Sequence, residues 1–331
     1  MPSETFKELM SMTEQSAHRP LAGRAITYKR PGGYEVIEIC ERTVRPPGVG
    51  EVRIKVKAAA VNPTDIGLRQ RGIPDQTWTV VPGMDAAGII ESVGWGVSRL
   101  QAGQKVMAAV MPRRPEGGAQ AEHIVVPAPS VVPIPEGVSL VEASTVPMNG
   151  LTALRALELA ALGRGRLFAV SGGAGLLAHY AIAAAKRQGQ KVIADAKPEE
   201  VELVRSYGAD IVVARGAGFA DAIRREAPAG VDALLDTALL AEGSFGAIRD
   251  EGVYIPVRGW GDKPSEREIK IKPVFVSEVL ERTEWLELLR DMVAAAQIKL
   301  RVAGEYAPER IADAQRALEA GGLRGRAVVL F

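Results

Sequence analysis

The sequence predicts an α/β protein of two domains: a β-rich, barrel-like domain and a doubly wound parallel sheet covered by helices. Three observations predict it. The chain has 331 residues and 47% hydrophobic content, enough for about two domains. Up to Pro147, apolar residues come in short alternating runs separated by glycine and proline clusters. Beyond Pro147, strand-like and helix-like segments alternate, an order that lays strands parallel with helices on both sheet faces.

Residues 1–20 are polar and read as a tail. The segments Arg24–Lys29, Tyr34–Val44, Glu51–Ala60, Ala87–Val93, Lys105–Val110 and Ala121–Pro127 alternate or are rich in Val, Ile and Ala, as half-buried strands are. Pro31-Gly32-Gly33, Pro46-Pro47-Gly48 and the stretches 112–118 and 127–135 punctuate them, which suits short strands and long loops. Strands are then expected at Arg166–Val170, Lys191–Asp195, Ile211–Ala214, Val231–Asp236 and Val253–Val257. Helices are expected at Gly175–Gln188, Pro198–Tyr207, Phe219–Glu226 and Glu242–Ile248. Two amphipathic helices, Glu278–Ala296 and Pro308–Ala320, and a strand at Gly325–Phe331 close the chain.

Composition excludes several functions. With 41 basic and 40 acidic residues the formal charge is +1, and no basic patch is interleaved with aromatics, so nucleic acid is not an expected partner. No apolar run approaches the roughly 20 residues that span a bilayer, and the N-terminus lacks the apolar core of a signal peptide, so a cytoplasmic location without membrane contact is expected. Cys40 is the lone cysteine and is expected as a buried core thiol. The three histidines, His18, His123 and His179, have no neighbours at ligand spacing. A catalytic zinc needs about three protein ligands, so no metal site is expected.

The run Ser171–Ala178 carries the chemistry. Gly173-Ala174-Gly175-Leu176-Leu177-Ala178 is a G-x-G-x-x-A turn that follows an apolar strand and opens a helix. Small residues let the backbone approach a pyrophosphate, and the helix N-terminus offers it free N–H groups. Asp195, 22 residues after Gly173, ends the next strand, where a carboxylate can accept both ribose hydroxyls of NAD. Lys197 and Arg215 lie close enough in sequence to pair with a 2′-phosphate instead. Asp195 favours NADH over NADPH.

Six further motifs, in order, resemble the medium-chain dehydrogenase/reductase superfamily, in its zinc-free quinone oxidoreductase and enone reductase branch. They are Val61-Asn62-Pro63-Thr64-Asp65, Pro82-Gly83-Met84-Asp85-Ala86-Ala87-Gly88, Gly117–Glu122, Gly150-Leu151-Thr152-Ala153, the pair Gly230-Val231-Asp232 and Leu235-Asp236-Thr237, and Leu323–Arg326. The resemblance covers most of residues 22–331. It implies a GroES-like catalytic domain at 21–147 plus 273–331, a Rossmann domain at 148–272, and an active site between them. It implies Asn62 and Thr152 near the nicotinamide, with Met148, Val257, Gly259, Phe275 and Val276 lining its pocket and Ser171 beginning the turn. Zinc-dependent members carry Cys where this chain has Asn62, and Gly-His-Glu at Gly83-Met84-Asp85. Many relatives carry a tyrosine where this chain has Ile66 or Gly67, or Ile73-Pro74, so no tyrosine-assisted proton step is implied. The family often dimerises edge to edge, and Gly252–Val257 and Ile269–Val276 are placed to do so.

The expected activity is hydride transfer from NADH or NADPH to a small quinone, enone or similar conjugated carbonyl, without metal. Asn62, Thr64 and backbone N–H groups are the candidate donors to the developing enolate oxygen. Two other readings stand beside it: a zinc alcohol dehydrogenase, and an inactive dinucleotide-binding redox sensor.

Overall fold

A computed structural model describes residues 19–261 and 263–331. The tail, with His18, lies outside the described residues but for Arg19 and Pro20. The chain divides into two compact units: the first runs to Met148 and takes back Leu280–Asp291 and Leu300–Phe331, and the second is Asn149–Val279 with Met292–Lys299.

In the first unit, Leu21–Tyr28 and Ile37–Val44 pair as an antiparallel ribbon. The main sheet is ordered Val302–Tyr306, Arg326–Leu330, Glu51–Ala60, Asp85–Val93, Lys105–Ala109, Val131–Pro133. Its long strand Glu51–Ala60 also pairs with His123–Pro127. Serving three partner strands requires it to bend, and its register against Asp85–Val93 shifts twice, at Arg53/Ile54 and Val56/Ala58. Gly88 sits at the second shift, where a Cβ would lie 2.1 Å from the Lys55 carbonyl oxygen. Val52, Ile54, Ile90, Val106, Ile124 and Val131 fill the core inside this curved sheet.

The second unit is a six-stranded parallel sheet. Numbered in chain order from Leu167–Ser171, its strands lie 3-2-1-4-5-6, the doubly wound order. Val231–Asp236 is buried throughout and Lys191–Ala196 past its first residue, as strands covered on both faces must be. Helices Leu176–Arg187, Val201–Ser206 and Phe219–Glu226 form the connections.

Several expected elements differ. Pro198–Tyr207 is a 3-10 turn, Pro198–Glu200, before the α-helix Val201–Ser206. The expected helix at Glu242–Ile248 is 3-10 over Ala241–Ala247. Tyr34–Val36 is 3-10 rather than strand, because Pro31-Gly32-Gly33 turns the chain just before it. Ile269–Val276 is strand only at Lys270–Ile271, although Lys272 and Val274 N–H still donate to Tyr254 and Pro256 carbonyls. Cys40 is half-buried, because its ribbon has a solvent-facing side. Two helices, Pro63–Arg71 and Pro147–Ala160, have no counterpart in the sequence pattern. The first contains a glycine and three arginine or glutamine residues; the second is apolar nearly all round, which erases a helical period.

Gly88→Ala is expected to cost about 2–3 kcal/mol or to prevent folding, because the clash is with backbone and cannot be relieved by a rotamer. Chemical denaturation of the variant checks this.

Candidate functional site

In the first unit the sequence places two carboxylates inside apolar strand and helix entries. Asn62 caps helix Pro63–Arg71, with proline in its first turn where no N–H is missed. Asn62 N–H donates to Asp65 Oδ2 at 2.8 Å. Asp65 also accepts from Gly83 N–H at 2.9 Å and from Gln120 Nε2 at 3.2 Å. Asp85 opens its strand and accepts from Asn62 Nδ2 at 2.7 Å and from Met148 N–H at 2.6 Å. Asn62, Asp65, Asp85 and Gln120 are each 0% exposed.

Burial works against charge here. It pushes the Asp65 carboxyl up to about 7 and that of Asp85 up to about 6, against the opposing pull of their N–H donors and of the Arg326 charge. The Asp85 charge raises Asp65 further. Two buried acceptors, Asn62 Oδ1 and Gln120 Oε1, have no hydrogen-bond partner among the described residues. Asp85 decides the orientation of the Asn62 amide: a carboxylate opposite it needs the NH2 end, which leaves Oδ1 on the other side.

Thr64 is exposed on the first turn of its helix, apart from this cluster. Of the two candidate side-chain donors, Asn62 lies in the cluster and already gives one amide hydrogen to Asp85, and Thr64 lies outside it. Asp65, Asp85 and Gln120 were missed as site residues. The available signal was an acidic residue inside an otherwise apolar stretch, Val-Pro-Gly-Met-Asp-Ala-Ala-Gly, which must find donors if it is buried.

In the second unit, Ser171 ends the first strand and the turn Gly172–Gly175 leads into helix Leu176–Arg187. Gly172 has φ +72°, and a Cβ on Gly173 would lie 2.5 Å from the Asp195 carbonyl oxygen. The turn is thus closed from behind. In front it is open: a Cβ on Gly175 would meet only the Gly172 oxygen, at 3.0 Å. Gly173 N–H donates to Asp195 Oδ1 at 3.0 Å. Ser171 Oγ donates to Asp236 Oδ1 at 2.6 Å, and Asp236 Oδ2 accepts from Tyr254 OH at 2.7 Å and Ala241 N–H at 2.9 Å. Thr237 Oγ1 donates to the Ser171 carbonyl at 2.6 Å. A small-residue cradle at a helix N-terminus, held from below by two buried carboxylates, fits a pyrophosphate.

Asp195 is 2% exposed, and burial raises its carboxyl above the ordinary range against the Gly173 N–H and the Arg215 charge. Lys197 and Arg215 are exposed, and Arg215 N–H donates to the Ala196 carbonyl at 3.0 Å, so strands two and three end side by side. Ala174 and Leu176 are buried in the turn and Leu177 half-buried. Val257, Gly259, Phe275 and Val276 follow the last two strands, so they share the carboxyl edge of the sheet with the turn. Phe275 is 48% exposed there. Met148 and Thr152 lie on helix Pro147–Ala160, which passes from one unit into the other.

Residues 48–136 match the alcohol dehydrogenase GroES-like domain, and residues 207–329 match the zinc-binding dehydrogenase family. The chain is 28% identical to the 2-methylene-furan-3-one reductase of Solanum lycopersicum, over 96% of this chain and 81% of that one. It is 29% identical to the chloroplastic NADPH-dependent alkenal/one oxidoreductase of Arabidopsis thaliana, over 94% and 80%. Among solved structures, mycobacterial Rv1454c complexed with NADPH superposes with a TM-score of 0.80 at 25% identity, covering 93% of this chain and 100% of that one. With both domains matched, the chain belongs to the medium-chain dehydrogenase/reductase superfamily, and the two relatives named here are an enone and an alkenal/one reductase.

The name of the second family model raises zinc, and the residues present do not fit it. Among the described residues no three His, Cys, Asp or Glu side chains converge as ligands. The carboxylates nearest in kind, Asp65 and Asp85, are turned to N–H donors.

The raised carboxyls make stability depend on pH. The folded state holds these protons at pH values where the unfolded chain has released them, so stability grows as pH falls through about 7 towards 5 and is lost as pH rises again. Melting temperatures from pH 7.5 to 5.5 should rise for the wild type relative to Asp65→Asn. Parallel curves would show that Asp65 ionises freely.

Proposed function

We propose that this chain is a zinc-independent, NADPH-dependent reductase of small conjugated carbonyl compounds, enones and quinones. The observation that carries this reading is the Ser171–Ala178 turn: closed behind by Asp195, open in front, and opening a helix. Such acceptors are activated by their own conjugation and need no Lewis acid. When bound, the cofactor supplies a hydride from its nicotinamide ring.

The chain's own residues bind and orient. Gly173 and Gly175 admit the pyrophosphate to the N-terminus of helix Leu176–Arg187. Asp195 had suggested NADH, but its carboxylate is buried against the turn it supports. The exposed cations Lys197 and Arg215 flank the same strand ends and suit a 2′-phosphate, and the alkenal/one oxidoreductase and the Rv1454c complex are both named for NADPH. Asn62 contributes through Oδ1, which can accept from an amide or hydroxyl of the bound molecules, and through its second amide hydrogen. Backbone N–H groups and water serve the enolate oxygen and its proton. Thr152, Met148, Val257, Gly259, Phe275 and Val276 belong to the proposed nicotinamide surroundings, while Thr64 keeps no assigned role. The edge strand Lys270–Ile271 supports a homodimer formed by edge pairing, which light scattering tests.

Parallel titration with NADPH and NADH, then an enone and quinone screen, tests the reading. Binding without turnover on any acceptor would sink it in favour of a sensor. Arg215→Ala should raise KM for NADPH about tenfold and leave KM for NADH unchanged, as loss of one phosphate contact does. Asn62→Ala should lower kcat about tenfold or more while NADPH affinity holds.

A further inference from the structure

Asp85 is a buried carboxylate whose two oxygens go to different places. Oδ2 takes the Asn62 side-chain amide at 2.7 Å. Oδ1 takes the Met148 N–H at 2.6 Å. Met148 is the second residue of helix Pro147–Ala160, and Pro147 has no N–H. The Met148 N–H is therefore the first of the helix donors that lack an intrahelical partner. A negative charge at that end also complements the helix dipole. The same helix carries Thr152, about one turn beyond Met148.

We propose that Asp85 is a positioning residue of the reaction: it fixes which end of the Asn62 amide faces outward, and it pins the start of the helix that bears Met148 and Thr152. This rests on the reductase reading, in which those three residues serve the nicotinamide. It differs from a packing role in a definite way. A leucine-sized filler would keep the core but free the Asn62 amide to rotate. Asparagine at 85 would accept one of the two N–H donors and meet the other with its own NH2. The groups that face Asp85 are Asn62, the Met148 N–H, the Asp65 carboxyl and the Arg326 charge. Asp65 holds the backbone of Asn62, so the two carboxylates divide one residue between them: Asp65 takes its main chain and Asp85 its side chain.

The test is a double-mutant cycle on kcat. Asp85→Asn should lower kcat about tenfold, with KM for NADPH held within about threefold, as loss of positioning rather than of binding does. In the Asn62→Ala background Asp85→Asn should lower kcat by much less than it does in the wild type, because the arm through Asn62 is already gone and only the helix anchor is left to lose. If Asp85→Asn does not fold, Asp85→Glu, which keeps the charge and displaces it by one methylene, carries the same expectation. Multiplicative losses in the double variant, or wild-type kcat in the single one, would overturn the proposal. Should the wild type turn over no acceptor, the reductase reading fails instead. Amide hydrogen exchange at Met148 then remains decisive for the anchor: slow in the wild type and faster in Asp85→Asn supports it, and equal rates overturn it.

Discussion

The first unit is organised around the cost of burying Asp65 and Asp85. A carboxylate taken out of water loses several kcal/mol of solvation, and only hydrogen bonds of good geometry offset that loss. The donors come from four places in the chain: Asn62, Gly83, Gln120 and Met148. Three of the bonds come from backbone N–H groups, those of Asn62, Gly83 and Met148, at turns that lead into two helices and a strand and have no sheet partner to satisfy them. The carboxylates therefore perform for these turns what a ladder performs for a strand. The same bonds set the chemistry that the cluster can present. With its amide NH2 committed to Asp85, Asn62 shows an oxygen, and the buried pair keeps its protons to pH values near neutrality.

The second unit repeats this logic in another fold. Asp195 and Asp236 lie at the carboxyl ends of the two strands that flank Leu167–Ser171, and both turn inward to hold the glycine turn: Asp195 through Gly173 N–H, Asp236 through Ser171. Tyr254, one strand further on, donates to Asp236, and that bond together with burial raises the tyrosine hydroxyl well above its ordinary range. The turn is thus held by hydrogen bonds of its own, and a turn held in this way spends little ordering entropy on binding a ligand.

Much of this was legible in the sequence, and the limits are physical. The parallel sheet was legible because strands covered on both faces need unbroken apolar runs, as in Val231–Asp236. The glycine turn was legible because only small residues tolerate the close approach of Asp195. Helix Pro63–Arg71 was not. It is polar by composition, and what makes it stable is remote: Arg69 is buried, with Nε donating to Gln315 at 2.7 Å and Nη1 to the Gly32 carbonyl at 2.9 Å. Tyr34 lies under that guanidinium and under Arg316. Partners some 250 positions apart leave no local period to read. The direction in which Asp195 turns was not legible for a related reason. Its place at the strand end was correct, but which way its carboxylate turns depends on the backbone of Gly173.

The motifs that mark the family therefore carry two kinds of information. Asn62-Pro63-Thr64-Asp65 and Pro82-Gly83-Met84-Asp85 read as a site signature, yet most of their polar atoms are spent on one another. Asp65 and Asp85 hold the turns, and Asn62 is held by them; Thr64, the most freely available polar group, faces away. A motif of this type can persist in a chain that has lost its chemistry, because removing either carboxylate leaves buried N–H donors unpaired. What separates an active member from an inert one is then not the motif but the atoms it leaves over. Here those are the Asn62 oxygen and the open front of the Gly172–Gly175 turn, and function rests on what they can bind.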